Sequence, residues 1–344
     1  MEETFMKRLF ILLLSLSMLL VAFAGCGSQP SDPADLTPTP APEPAPGDPG
    51  FLEEPESSEE PAPEPCVFNT DRYVVSMDAQ AYLGDARVDY EALIDAVCAG
   101  EESVAAADLE SAEKAVAVFE ESPYRAFAQP EITDGAILIT YSGTGSADAF
   151  DEAAKYVVEG AVYTESNTLE TALGLYRAVS SCFTFEESED NSLYRMMTEK
   201  KGGTAEFAAA LNYLFNQNGI PSQLAYGTAA DDEHFWVIAE LDGHLYHFDP
   251  TFENGSTGGA GLSYFGMSDD TRVYTGCALP FTTGQGSYEE THDKLCSDMK
   301  FDTMFTDVTS WECDVRAHFL YLAYGFEEDY LTSVSTDTFT AAAG

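Results

Sequence analysis

Apolar positions recur at helical spacing in some segments of this chain and alternate in others. Tyr90, Leu93, Ile94, Val97 and Cys98 fall three and four residues apart, which predicts a helix. Segments 110–120 and 147–158 read the same way, while 72–77 and 136–141 read as strands. Leu169, Leu173, Tyr176 and Val179 form the apolar side of a helix capped at Asn167 or Thr168. Phe207, Ala208, Leu211, Leu214 and Phe215 share one face of the next helix. That helix stops at Asn218-Gly219-Ile220-Pro221, where glycine supplies a left-handed cap and proline blocks continuation. Strands follow over 222–228, 234–241 and 244–248, the last two joined by Asp242-Gly243, a strong hairpin signal. The Gly-rich segment 254–261 reads as a loop. Strands at 318–324 and 330–335 carry no functional signal.

The N-terminus adds an address. Lys7-Arg8 precede an apolar run, 9–24, whose sixteen residues would span about 24 Å as a helix, short of the roughly 30 Å hydrocarbon core. This predicts a secretory signal rather than a spanning helix. The run ends in Phe23-Ala24-Gly25-Cys26, which resembles a bacterial lipoprotein cleavage site with Cys26 as the lipidated residue. Residues 27–65 hold 12 of the 17 prolines together with ten acidic and no basic side chains, so they read as a semi-stiff tether without a core. The expected organisation is a signal peptide at 1–25 and a lipidated, disordered tether at 26–65. An accessory α+β subdomain at 66–157, a core at 158–280 and an extension at 281–344 complete it.

Charge excludes some partners. The chain carries 60 Asp+Glu against 15 Lys+Arg, a formal −45, and such a surface repels nucleic acid. Beyond Cys26, six cysteines remain: Cys66, Cys98, Cys182, Cys277, Cys296 and Cys313. An even number in an extracytoplasmic setting admits disulfides, although buried thiols serve equally. With no CxxC pair, and with His244 and His247 on opposite faces of one strand, no metal or other cofactor is expected.

One order of pieces carries chemistry. Gly202-Gly203-Thr204-Ala205-Glu206-Phe207-Ala208 opens a helix, His234-Phe235-Trp236 opens a strand, and Tyr246-His247-Phe248-Asp249-Pro250-Thr251 ends the next. This order, over about 165–255, resembles the transglutaminase-like branch of the papain-like fold. The resemblance implies an α+β protein: a transglutaminase-like core, with a helix packed on an antiparallel sheet, preceded by a small α+β subdomain. It also implies a Cys-His-Asp triad at Thr204, His234 and Asp249.

The nucleophile position holds Thr204. An alkyl hydroxyl is far less acidic than a thiol, so a helix N-terminus and an imidazole cannot hold it ionised. Threonine is also a good helix cap. The favoured expectation is therefore a non-catalytic cell-surface lipoprotein, membrane-anchored through Cys26. It would bind an extracellular peptide, protein or glycan, with Trp236 and Tyr226 as candidate binding residues. The alternative is an acyl transferase or amide hydrolase that uses Thr204 with His234 and Asp249. Cys182 is the other thiol in the core segment before Thr204, and it reads as a buried or paired thiol.

Overall fold

The computed structural model describes residues 61–133, 135–143, 145–188, 192–230, 232–325 and 331–339. The signal segment, Cys26, nearly all of the tether and Asp134 lie outside the described residues.

Three helices and three strands build the first layer: α1 (Met77–Leu83), α2 (Arg87–Ala99), β1 (Ser103–Ala105), α3 (Leu109–Phe119), β2 (Ala128–Thr133) and β3 (Ala136–Tyr141). The strands form an antiparallel sheet of order β1-β3-β2. Tyr90, Leu93, Ile94 and Val97 of α2 meet Ala115, Val118 and Phe119 of α3 over the sheet in one buried cluster. The strand expected at 72–77 does not form. Arg87 Nη2 donates to the Tyr73 carbonyl (2.9 Å), so a side chain takes the place of a ladder partner. Tyr73 and Val75 pack against the cluster from an irregular segment.

Helix α4 (Ala147–Ala161) sends Phe150, Ala154, Val157 and Val158 into a second, larger cluster. It shares this cluster with α5 (Thr168–Cys182), so α4 sits with the elements that follow it. Asn167 caps α5 as expected. Its side chain accepts the Glu170 N–H (3.0 Å), and the Glu170 carboxylate accepts the Asn167 N–H (2.9 Å). After β4 (Thr184–Phe185), α6 (Leu193–Glu199) and β5 (Lys201–Gly202) comes α7 (Thr204–Gln217). Helix α7 is buried along Phe207, Leu211, Leu214 and Phe215.

The second sheet is antiparallel. Its strands β6 (Ser222–Ala229), β7 (Asp232–Leu241), β8 (His244–Phe248), β9 (Phe265–Met267), β10 (Phe281–Thr283) and β11 (Glu290–His292) run in the order β11-β10-β6-β7-β8-β9. Asp242 and Gly243, at φ 57° and 74°, make the tight turn between β7 and β8. The 254–261 loop expectation is corrected. Helix α8 (Pro250–Thr257) runs through it and ends at Gly258, in the left-handed region at φ 66°. Its start at Asp249-Pro250 outweighs the low helix propensity of its Gly and Ser residues. Helix α9 (Asp269–Tyr274) lies between β9 and β10, and α10 (Asp302–Phe305) follows β11. A third antiparallel sheet, β12 (Val308–Asp314), β13 (Phe319–Tyr324) and β14 (Leu331–Ser335), packs Trp311, Leu320 and Leu322 onto the large cluster. No helix among the described residues is long and apolar enough to cross a membrane.

All six cysteines from Cys66 to Cys313 are free thiols, the second of the two possibilities that the sequence left open for most of them. Burial raises the pKa of Cys66, Cys98, Cys277, Cys296 and Cys313, that of Cys313 to about 12. These thiols pack as small apolar side chains.

Candidate active site

The start of α7 depends on a close backbone approach. A Cβ on Gly202 would lie 2.5 Å from the Glu206 Cβ and 2.9 Å from the Met196 Sδ. Only glycine lets the chain enter the helix there. The N-cap is Gly203, not Thr204. The Glu206 carboxylate reaches back to accept the Gly203 N–H (2.9 Å). Thr204 is the first helical residue and is half-buried. As the first helical residue it stands outside the cap position, and no side chain caps the first-turn N–H groups. No hydrogen bond joins Thr204 to His234 or Asp249.

Those two residues do meet. His234 Nε2 lies 2.6 Å from Asp249 Oδ2, and both side chains are buried. Asp249 Oδ1 accepts the Phe252 N–H (2.9 Å), so the carboxylate caps α8 with one oxygen and orients the imidazole with the other. The Phe252 ring stacks on His234 with centroids 4.2 Å apart. A carboxylate at Nε2 places the proton there and leaves Nδ1 to act as a base.

A residue that sequence reasoning missed completes the cluster. Arg272, from α9, is 1% exposed. Its Nη1 donates to Asp249 Oδ2 (2.7 Å), the oxygen that also contacts His234. The guanidinium lies 4.1 Å from the Trp236 ring centre and 5.5 Å from that of Phe252. Burial by itself would raise the pKa of Asp249. The charge of Arg272 and the His234 hydrogen bond outweigh it and hold the carboxyl below the usual range. Nothing in the spacing of the chain signals this partner, which comes 23 residues after Asp249.

The two candidate binding residues point to opposite faces of the sheet. Trp236 and Ile238 lie on one face with Ala225 and Phe281. Phe235, Val237 and Ala239 face the cluster containing α7. Tyr226 is paired across the ladder with Phe235, their rings 5.6 Å apart, so it belongs with that second face. His234 shares the parity of Trp236, and their rings lie 6.3 Å apart.

Trp236 has a further contact. Its Nε1–H donates to His247 Nδ1 (2.9 Å), and His247 Nε2 donates to Asp269 Oδ1 (3.0 Å). Asp269 Oδ2 accepts the N–H groups of Leu295 and Cys296. Donor atoms of His247, Asp269 and Cys296 lie within 4.8 Å of one another, all buried. The bonding is nevertheless wrong for a metal. An indole N–H can only donate, so it takes the Nδ1 lone pair and forces the proton onto Nε2. Burial lowers the pKa of His247 and raises that of the Cys296 thiol, so the cluster is a neutral imidazole beside a protonated thiol.

No other thiol replaces the missing one. Cys277, bridged to Ala229, feels the charges of Arg272 and Asp249, but burial outweighs Arg272 and keeps its pKa high. Cys182, expected to be buried or paired, is instead free and exposed at the C-terminal end of α5, away from a helix N-terminus.

Part of the chain matches a known family. Residues 155–250 match the family model of the transglutaminase-like superfamily. This transglutaminase-like core contains Thr204, His234 and Asp249. Among solved structures, a proposed cysteine protease from Cytophaga hutchinsonii is similar at 12% identity and a TM-score of 0.29, over 48% of this chain and 71% of that one. A TGase is similar at 12% identity and a TM-score of 0.29, over 36% of this chain and 43% of that one. The periplasmic domain of TgpA from Pseudomonas aeruginosa, bound to ethylmercury, is similar at 16% identity and a TM-score of 0.24, over 33% and 47%. The chain thus spans less than half the length of the last two. No curated protein matches the sequence.

Proposed function

We propose that this is a cell-surface lipoprotein, anchored to the outside of a bacterial membrane through Cys26. Its transglutaminase-like domain is catalytically silent and binds an extracellular peptide, protein or glycan. The observation that carries this reading is the intact His234–Asp249 pair, while Thr204, the first residue of α7, holds the position that the family resemblance gives to the nucleophile. The imidazole is oriented, the carboxylate is charged, and the group to be activated is an alcohol with no hydrogen bond to the base. A thiol there would sit at a helix N-terminus, a setting that lowers a thiol pKa. Arg272 adds support. It shares Asp249 Oδ2, so the carboxylate that orients His234 is already held by a buried cation.

The test is to assay wild type and Thr204→Cys for amine incorporation and for amide hydrolysis. The reading expects activity in the cysteine variant alone. Turnover by wild type that Thr204→Ala abolishes overturns it.

A second reading has one observation in its favour: Thr204 is the first helical residue rather than the N-cap, so its hydroxyl is not used as a cap. In that case Thr204 is the nucleophile of an acyl transferase or amide hydrolase, with His234 Nδ1 taking its proton during attack. The same assays decide between the two readings.

A further inference from the structure

A cavity of about 290 Å³ lies between α4, α5 and β12. Part of its wall is apolar and small, with Gly160, Ala161, Ala178 and Val315, and the rest carries polar groups such as Tyr163, Ser166 and Ser181. Two cation-facing and donor features stand in this wall, Arg177 of α5 and Trp311 of β12. The Arg177 guanidinium lies flat over the Trp311 ring, 3.4 Å from its centre, and donates through Nη2 to the Trp311 carbonyl. Stacking and that bond fix the plane of the guanidinium and leave its other N–H groups without a protein acceptor.

The charges around Arg177 are unusual for this chain. Acidic residues outnumber basic ones by 60 to 15, yet among the described residues no carboxylate lies within ion-pair distance of Arg177. Arg72, Arg87, Arg125, Arg195 and Arg272 all have one. Glu170 also lines the cavity, but its oxygens are engaged elsewhere. Oε1 takes the Thr336 hydroxyl and His318, and Oε2 takes the Asn167 N–H. Arg177 is half-buried, and burial lowers its pKa. Trp311 is 5% exposed, and its indole N–H is buried with no acceptor. The Trp311 N–H, an unpartnered buried donor, carries a cost of about 1–3 kcal/mol.

We propose that this cavity is a binding site for a small organic carboxylate, held by the Arg177 guanidinium stacked on Trp311, with the hydrocarbon part against Ala161, Ala178 and Val315. A guanidinium whose plane is already fixed suits a carboxylate better than a point charge would. The apolar wall selects an organic acid over an inorganic anion. The site is separate from His234 and Asp249, and its occupancy does not depend on whether Thr204 is reactive.

The test uses benzoate as probe, with benzamide and sulfate as controls. The chain has two tryptophans, so a ¹H–¹⁵N spectrum shows two indole N–H signals, and Trp311→Phe assigns one of them. Benzoate should shift the Trp311 signal saturably, while benzamide should not. Arg177→Gln should weaken benzoate binding by about tenfold or more, the value of a charge-assisted pair. Because Arg177→Gln could disturb folding, Ala178→Leu provides a second arm. It leaves Arg177 in place, fills the cavity and should abolish binding with an unchanged circular dichroism spectrum. The proposal is overturned if benzamide binds as well as benzoate, if sulfate saturates the site at the same concentration, or if a folded Ala178→Leu variant still binds benzoate.

Discussion

Arg272 and His234 meet on a single atom: both contact Oδ2 of Asp249, at 2.7 and 2.6 Å. The carboxylate is fully buried, so its charge is balanced by these two neighbours rather than by water. Removing either neighbour therefore exposes the desolvation cost that the pair offsets.

Arg272→Ala should lower unfolding free energy by about 3–5 kcal/mol, the usual cost of orphaning one half of a buried ion pair. It should also change the acid limb. The folded pKa of Asp249 is depressed, so its contribution is present above the unfolded value, about 3.9, and is lost as pH falls through the folded value. Without Arg272 the folded value rises, and acid unfolding should begin at higher pH. Urea titrations of both proteins across pH 2–6 read the two effects.

Glu121 predicts the opposite slope. It accepts from Ser76 Oγ (2.7 Å) and from Tyr288 (2.5 Å), and Tyr288 stacks on Tyr82. Burial and then the nearby Asp78 push its carboxyl up to about 7. A raised folded value means the native state holds the proton longer than the unfolded chain does. Stability from this group should be highest below about pH 4.3 and should fall as pH rises toward 7. Glu121→Gln should therefore melt above wild type at pH 8, with the difference vanishing near pH 4. Equal Tm differences at both pH values would count against it.

Trp236→Phe should cost about 1–3 kcal/mol through the loss of one hydrogen bond, because His247 Nδ1 is left buried without a donor. Chemical denaturation measures this. The ring-nitrogen shifts of His247 should show a mixed tautomer in the variant and a single Nε2–H form in wild type.

The thiols should react in order of exposure. Iodoacetamide applied to the folded protein should label Cys182 first, with Cys296 and Cys277 modified only after unfolding. Peptide mass spectrometry gives the order. A native disulfide joining any of these cysteines would contradict the free thiols described above.

Local rules made much of the architecture legible. The Asn167 cap, the apolar face of α7, the Asp242-Gly243 turn and the meeting of His234 with Asp249 all follow from short-range signals and a known order of motifs. What stayed hidden depends on contacts across space. Segment 72–77 alternates like a strand, but Arg87 satisfies its backbone instead of a neighbouring ladder. Residues 250–257 look loop-like in composition, but the Asp249 cap and Pro250 start a helix there. Arg272 sits in a short helix of no special pattern, and only the folded chain brings it to Asp249. Tyr226 and Trp236 seem adjacent in a strand pair, but alternation sends them to different sides of the sheet.

The bond from Glu206 to the Gly203 amide has a last implication. Because residue 204 bears no part of sealing the helix end, its side chain is free to change without disturbing the scaffold. Reactivity and foldability are thus uncoupled at that position. A lineage could silence the chemistry, or restore it, by one codon change while every supporting contact stays in place.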